Sequence, residues 1–341
     1  MERSFLVQSL HYFGRPHSDI PVDPVISVAD WRAKELDARR DEWMYILSDA
    51  EIEELKRAVN YVMSRNISLD NMKKSDFKIP LLEPSIQKWS IALDPSRGIG
   101  VTVIKRVPVH LWSVVESSTF WWGLGLHLGF PGAQNGRGDL IGHVKDEGFF
   151  EMSGSGGGNS FGKVRQYRTN ERIEFHCDVA DVVGLLCLQT AKIGGRSRLA
   201  SSVAVFNELQ KTKPLSIPRL FSSLPLDSRG DGGFNYVFVT PCRFFEGILR
   251  TFWHTEYFQS AYRYEDSVVP SIPHDVREIV SAYDDIANSA EFAFEMEFEQ
   301  GDVQLISNHV VVHSRTKFEN NIESSEVRHL LRLWLSLPSG P

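Results

Sequence analysis

The sequence predicts a mainly β protein with flanking helices, its strands folded into a sandwich or barrel. From Gly98 onward, and densely after position 160, short runs of β-branched and aromatic residues are separated by Gly, Pro, Asn and Asp. These runs do not alternate with long amphipathic helices, as a parallel βαβ sheet would require. The size also fits: 341 residues with 42% hydrophobic content can bury a substantial core, and 21 Phe with 8 Trp exclude general disorder.

The first ninety or so residues read as helical and irregular. Ser48 and Glu51 have capping-box spacing, and Ile52, Leu55, Val59 and Val62 follow at helical intervals, predicting a surface helix of about four turns. Val101, Val103, Ile104 and Val107 predict a strand. Residues 115–128, with Phe120, Trp121 and Trp122, predict a buried helix. Strands are then expected over 171–177, 182–188, 233–240, 292–298, 303–306, 310–312 and 329–335. We expect one domain over 1–341, with a helical N-terminal elaboration at about 1–97 and a β core at about 98–338.

Composition narrows the function. The formal net charge of −7 is opposite to what a generic nucleic-acid binder needs. Cys177, Cys187 and Cys242 are sparse, odd in number and lack CxxC spacing, which argues against a disulfide framework or a structural zinc site. Residues 1–10 carry Glu2 and Arg3 and do not read as a signal peptide, and no run is long and apolar enough to span a membrane. A cytoplasmic protein without a membrane partner is expected, which leaves the Asn66-Ile67-Ser68 acceptor pattern idle. The glycine-rich stretch 153–164 falls short of a phosphate loop: Val164 stands where Ser or Thr would hold magnesium, and Asn159 breaks GxGxxG. It reads as a flexible surface loop. Arg229-Gly230-Asp231 reads as a turn.

Metal chemistry is the stronger signal. A His-x-Asp or His-x-Glu triplet on a strand points both side chains to one face. Three occur: His17-Ser18-Asp19, His176-Cys177-Asp178 and His254-Thr255-Glu256. His17 lies in a proline-rich leader and His254 in an aromatic stretch that reads as core or pocket wall. His176 lies in an apolar run that makes a believable strand. Downstream, His309 and His313 both offer a third imidazole, and an offset of four keeps both on one face of a regular strand. Arg328 and Arg332 follow within a further apolar run.

The order of these pieces, from about Gln166 to Leu335, resembles the TauD/TfdA family of iron(II)- and 2-oxoglutarate-dependent oxygenases. The resemblance implies a double-stranded β-helix (jelly-roll, cupin-like) core. It implies His176, Asp178 and His313 as the Fe(II) ligands, His313 being preferred over His309 because the family follows its distal histidine with a small residue and then Arg, as in His313-Ser314-Arg315. Two imidazoles and one carboxylate leave open positions on the metal for a keto acid and O2. The resemblance also implies Arg328 for the distal carboxylate of 2-oxoglutarate, with help from Ser197 after the Gly194-Gly195 turn. Thr is commoner at that position in the family. Four residues of strand span about 13 Å, so Arg332 should not share that carboxylate. It is assigned instead to an anionic group of the substrate, on the expectation that no acid of the protein pairs with it.

The expected activity is oxidation of a small anionic substrate, such as an amino acid or carboxylate, by hydroxylation, desaturation or ring closure, in secondary metabolism. The alternatives are a peptide-modifying oxygenase of the same fold and a non-catalytic jelly-roll binding protein.

Overall fold

The computed structural model describes residues 4–148, 166–229, 234–264, 273–321 and 327–338. Two sheets face one another. The larger runs in the order Met44–Ile46, Val101–Lys105, Val303–Ser307, Val182–Gln189, His329–Ser336 and Phe130–Gly132, and Gly142–Val144 pairs with the far half of His329–Ser336. The smaller runs Phe294–Met296, Ser197–Ser201, Val311–Arg315 and Ile173–His176, antiparallel throughout. This is the jelly-roll arrangement the sequence led us to expect.

Alternation along the strands explains how the large sheet is buried on both faces. Val101, Val103, Val183, Ile306 and Trp334 share a core with Phe175, Leu199 and Val311 of the small sheet. Their neighbours Ile104, Val182, Leu186, Leu305, Leu333 and Leu335 turn the other way, into a second core with helical side chains such as Leu55, Val59, Trp89 and Trp121. Trp89 belongs to the helix Glu83–Leu93. The helix Asp49–Ser64 is capped as expected: the Ser48 side chain accepts from Glu51 N, and Glu51 returns the bond to Ser48. Two residues past its end Asn66 takes a positive φ of 52°, a conformation Asn tolerates at helix ends. The helix Val114–Leu128 is buried through Phe120, Trp121 and Trp122.

Several elements depart from the sequence reading. Met44–Ile46 adds a strand to the N-terminal region, pairing in parallel with Val101–Lys105. Three residues are too few to show a period. Ser197–Ser201 lies in the small sheet, its Ser and Arg positions having masked it. Helices Ser202–Thr212, Thr255–Ala261 and His274–Asn288 interrupt the C-terminal half. The glycine-rich stretch 153–164 and Gly230-Asp231 lie outside the described residues. Among those described, no helix is long and apolar enough to cross a membrane.

Candidate metal centre

The site forms where the chain crosses from the small sheet to the large one. The strand Ile173–His176 ends at His176, and residues 177–181 turn across to Val182–Gln189. Asp178 is therefore not on the strand, as the spacing alone suggested; it lies in the turn. Cys177, between the two, is buried in the core between the sheets, and its N–H donates to Trp253 O at 2.7 Å. His313 lies on Val311–Arg315, and its Cα is the register partner of His176.

The three side chains meet. One ligand atom from each of His176, Asp178 and His313 lies within 4.8 Å of the others. The imidazole centroids are 4.2 Å apart, and His313 Nε2 is 3.9 Å from Asp178 Oδ2. His176 Nδ1 is 2.9 Å from Glu174 O, which assigns the proton to Nδ1 and leaves Nε2 with a bare lone pair. His313 Nδ1 is buried and has no hydrogen-bond partner among the described residues. Burial pushes the His313 imidazole down to about 3, with His176 adding to the effect, and it also lowers His176. Both rings are thus neutral at working pH, as ligation requires. Burial opposes the charge on Asp178, but its neighbours, the Arg332 guanidinium foremost, hold the carboxyl below its usual range. Neutral imidazoles and an ionised carboxylate in one buried cluster fit a borderline divalent cation such as Fe(II).

Of the other histidines, His309 does not join the cluster. It sits in the turn before the strand, and its Nε2 is 2.8 Å from Asp181 Oδ1. His17 stacks on Phe221. His254 packs beside His176, with ring centroids 5.2 Å apart, and stacks on Tyr257.

Arg328 is 4% exposed. Its Nη2 donates to Gly195 O at 3.2 Å, its guanidinium lies over the Phe318 ring, and its Nη1 has no hydrogen-bond partner among the described residues. Burial pulls it down to about 10. A buried guanidinium with an open N–H suits a carboxylate ligand. Ser197 Oγ is buried and donates to Gln304 Oε1 at 2.9 Å.

Arg332 departs from expectation. Its Nη1 is 3.2 and 3.3 Å from the two Asp178 oxygens, and its Nε donates to Gln134 Oε1 at 2.9 Å. The guanidinium does have an internal carboxylate partner, because a residue facing the small sheet from this strand meets the 177–181 turn. The argument from an unpaired cation therefore fails. Sequence reasoning also missed Trp334, whose Nε1–H donates to Asp178 Oδ2 at 3.1 Å. The signal was available, since Trp334 is two residues beyond Arg332 on the same strand face. Gln134 and the N-terminal residues described below carry no local signal.

Two imidazoles and a carboxylate converging between the sheets of a jelly roll are the ligand set of a non-haem iron(II) oxygenase. The chain belongs to the taurine catabolism dioxygenase TauD, TfdA family, which matches residues 68–334. It is accordingly an Fe(II)- and 2-oxoglutarate-dependent dioxygenase. Among curated proteins it is 27% identical over 336 residues to FR-33289 synthase of Streptomyces rubellomurinus, covering 93% of this chain and 91% of that one. It is 25% identical over 301 residues to the taurine hydroxylase-like protein SAT17 of Stachybotrys chartarum, covering 86% and 75%. Its fold is similar to that of an asparagine oxygenase crystallised with Fe(II), 3-hydroxyasparagine and succinate, with a TM-score of 0.65, 13% identity and coverage of 86% and 93%. A mutant of the non-haem iron oxygenase OrfP, in complex with (3S)-hydroxy-L-Arg, gives 0.62, 15%, 86% and 93%.

Proposed function

We propose that the protein hydroxylates a small anionic substrate, an amino acid or similar carboxylate, with Fe(II) held by His176, Asp178 and His313. The observation that carries this reading is the convergence of those three ligand atoms within 4.8 Å inside the jelly roll. The relatives support the substrate class: one is a synthase, and two fold neighbours were crystallised with hydroxylated amino acids.

The chain's own groups divide the work. His176 and His313 present neutral imidazoles, the first fixed in tautomer by Glu174 O. Asp178 supplies the negative charge. Arg328 is assigned to the distal carboxylate of 2-oxoglutarate, with Gly195 O fixing the guanidinium and Ser197 exchanging Gln304 for the ligand. When bound, the iron couples O2 reduction and decarboxylation of 2-oxoglutarate to oxidation of a substrate C–H bond. The surrounding residues orient the reactants and exclude water. Arg332 stays with the Asp178 carboxylate and is not assigned to the substrate's anion.

In this reading residues 1–341 form one oxygenase domain, supported by Tyr12, Val25 and Trp31 sharing the core of Phe175 and Leu199. The three free, buried cysteines and the net charge of −7 support a cytoplasmic enzyme whose partner is a small molecule, neither nucleic acid nor membrane. The test is succinate release with Fe(II), ascorbate and 2-oxoglutarate. Stimulation by free amino acids or small carboxylates is expected. Stimulation by peptides alone would replace this reading with a peptide-modifying one, and no release at all would reject both.

A further inference from the structure

Asp178 is held by more than its neighbours in the cluster, and the extra support leads outside residues 68–334. Trp334 is 5% exposed, on the strand His329–Ser336. Indole N–H is a donor only, and here it is directed at Asp178 Oδ2, 3.1 Å away. Among the described residues, two groups flank the indole ring. The Arg332 guanidinium lies 4.7 Å from its centroid, and the Phe5 ring stacks on it at 6.3 Å with 28° between planes.

Phe5 is the first residue of the helix Phe5–Phe13, capped by the Ser4 side chain. The rest of this helix and Arg15, two residues past its end, are fastened to the same turn that carries Asp178. His11 Nε2 and Arg15 Nη2 lie 2.9 and 2.6 Å from Asp181, and Tyr12 stacks on His309, itself bonded to Asp181. The N-terminal helix thus reaches the 177–181 turn twice, through Trp334 onto Asp178 and directly onto Asp181.

We propose that Trp334 is a positioning residue that fixes the rotation of the Asp178 carboxylate for metal binding, and that Phe5 of the N-terminal helix holds Trp334 for that task. A metal-ligating carboxylate needs its own hydrogen-bonding partner to stay in the binding orientation, and losing such a partner typically lowers metal affinity 10- to 100-fold. Arg332 cannot replace it, because its Nη1 is shared between both oxygens and fixes neither. The proposal rests on the assignment of Asp178 as an Fe(II) ligand.

The test is anaerobic Fe(II) binding to the full-length apoprotein, measured by competition with a chelator of known affinity. Thermal unfolding of the apoprotein is followed in parallel. Trp334→Phe keeps the ring and removes the donor. We expect its Fe(II) affinity to fall 10- to 100-fold while it remains folded at the assay temperature. Phe5→Ala should weaken Fe(II) in the same direction and Phe5→Tyr should restore it, which a purely structural loss would not follow. Wild-type Fe(II) affinity in Trp334→Phe overturns the proposal. Should that variant not fold, the Phe5 pair decides: weakening in Phe5→Ala with recovery in Phe5→Tyr supports it, and any other pattern overturns it. His313→Ala separates the two levels. If it binds Fe(II) as wild type does, the metal assignment itself is wrong, whereas a wild-type response of Trp334→Phe alone removes only the positioning role.

Discussion

His176 and His313 are register partners on adjacent antiparallel strands, and their imidazole centroids lie 4.2 Å apart. Backbone pairing therefore sets the distance between the two imidazoles proposed to hold Fe(II). Replacing His176, Asp178 or His313 by Ala should each abolish Fe(II) binding and turnover in a protein that still folds, because an open site has no ligand to spare. His309→Ala should bind Fe(II) as wild type does and lose stability instead. Anaerobic Fe(II) titration of the four variants checks this, and an iron-free His309→Ala beside an iron-competent His313→Ala would reverse the ligand choice.

Arg328→Ala should raise the 2-oxoglutarate requirement steeply. Losing a charge-assisted contact in a buried pocket costs about 2–5 kcal/mol, a rise of roughly 30-fold or more in apparent KM. Gly195→Ala should act in the same direction without touching a charge. Gly195 has φ +69°, and an added Cβ would stand 2.7 Å from Arg328 Nε, forcing the guanidinium away. Steady-state kinetics in 2-oxoglutarate reads both effects, and an unchanged KM in Arg328→Ala would take the carboxylate away from this residue.

Asp181→Asn should cost about 3–5 kcal/mol of stability. The carboxylate receives His11 Nε2, Arg15 Nη2, His309 Nε2 and the Leu337 N–H, all within 2.9 Å. Burial opposes its charge, but these partners hold it well below the usual carboxylate range. An amide leaves the buried Arg15 without its anion. Urea unfolding of the apoprotein measures the loss, and a change under about 1 kcal/mol would show that the network tolerates a neutral centre.

A pair on the large sheet sets a pH dependence. His143 Nδ1 and His329 Nε2 are 2.9 Å apart. Burial, then His143 and Lys145, push His329 down to about 4. His143 is also lowered, by burial and Lys145 against the opposing pull of Glu147 and Asp139. In the unfolded chain histidine takes up its proton near pH 6.5, so below that pH the unfolded state binds more protons than the folded one. Stability from this pair is complete above about pH 6.5 and is lost as the pH falls toward 4. Between about pH 7 and pH 5, His329→Gln should lose less stability than wild type in urea titrations. Equal losses would remove the pair from the acid response.

The sequence carried the fold and the ligand set wherever the signal was local. Short apolar strand runs and the His176-Cys177-Asp178 triplet are short-range patterns, and they mark the large sheet and two of the three proposed ligands. The triplet was legible for a partly mistaken reason, since Asp178 converges through a turn and not along a strand. Met44–Ile46 was too short to announce itself, and Gln134 reaches Arg332 across 198 positions, which no local spacing encodes. Arg332 was misread energetically because its acid lies 154 positions away. Trp334 was overlooked although the two-residue step from Arg332 placed it on the same face.

One consequence concerns association between molecules. Ile173–His176 is an outer strand of the small sheet, and an outer strand with free backbone groups is a template on which another chain can assemble. Here the backbone beside His176 is already engaged: His176 bridges to His254, and Cys177 N–H is taken by Trp253 O. Cross-strand recruitment at this edge, the first step toward aggregation, would have to peel the 253–254 segment away from the metal centre. The same hydrogen bonds that steady the backbone at His176 thus also guard this edge against self-assembly.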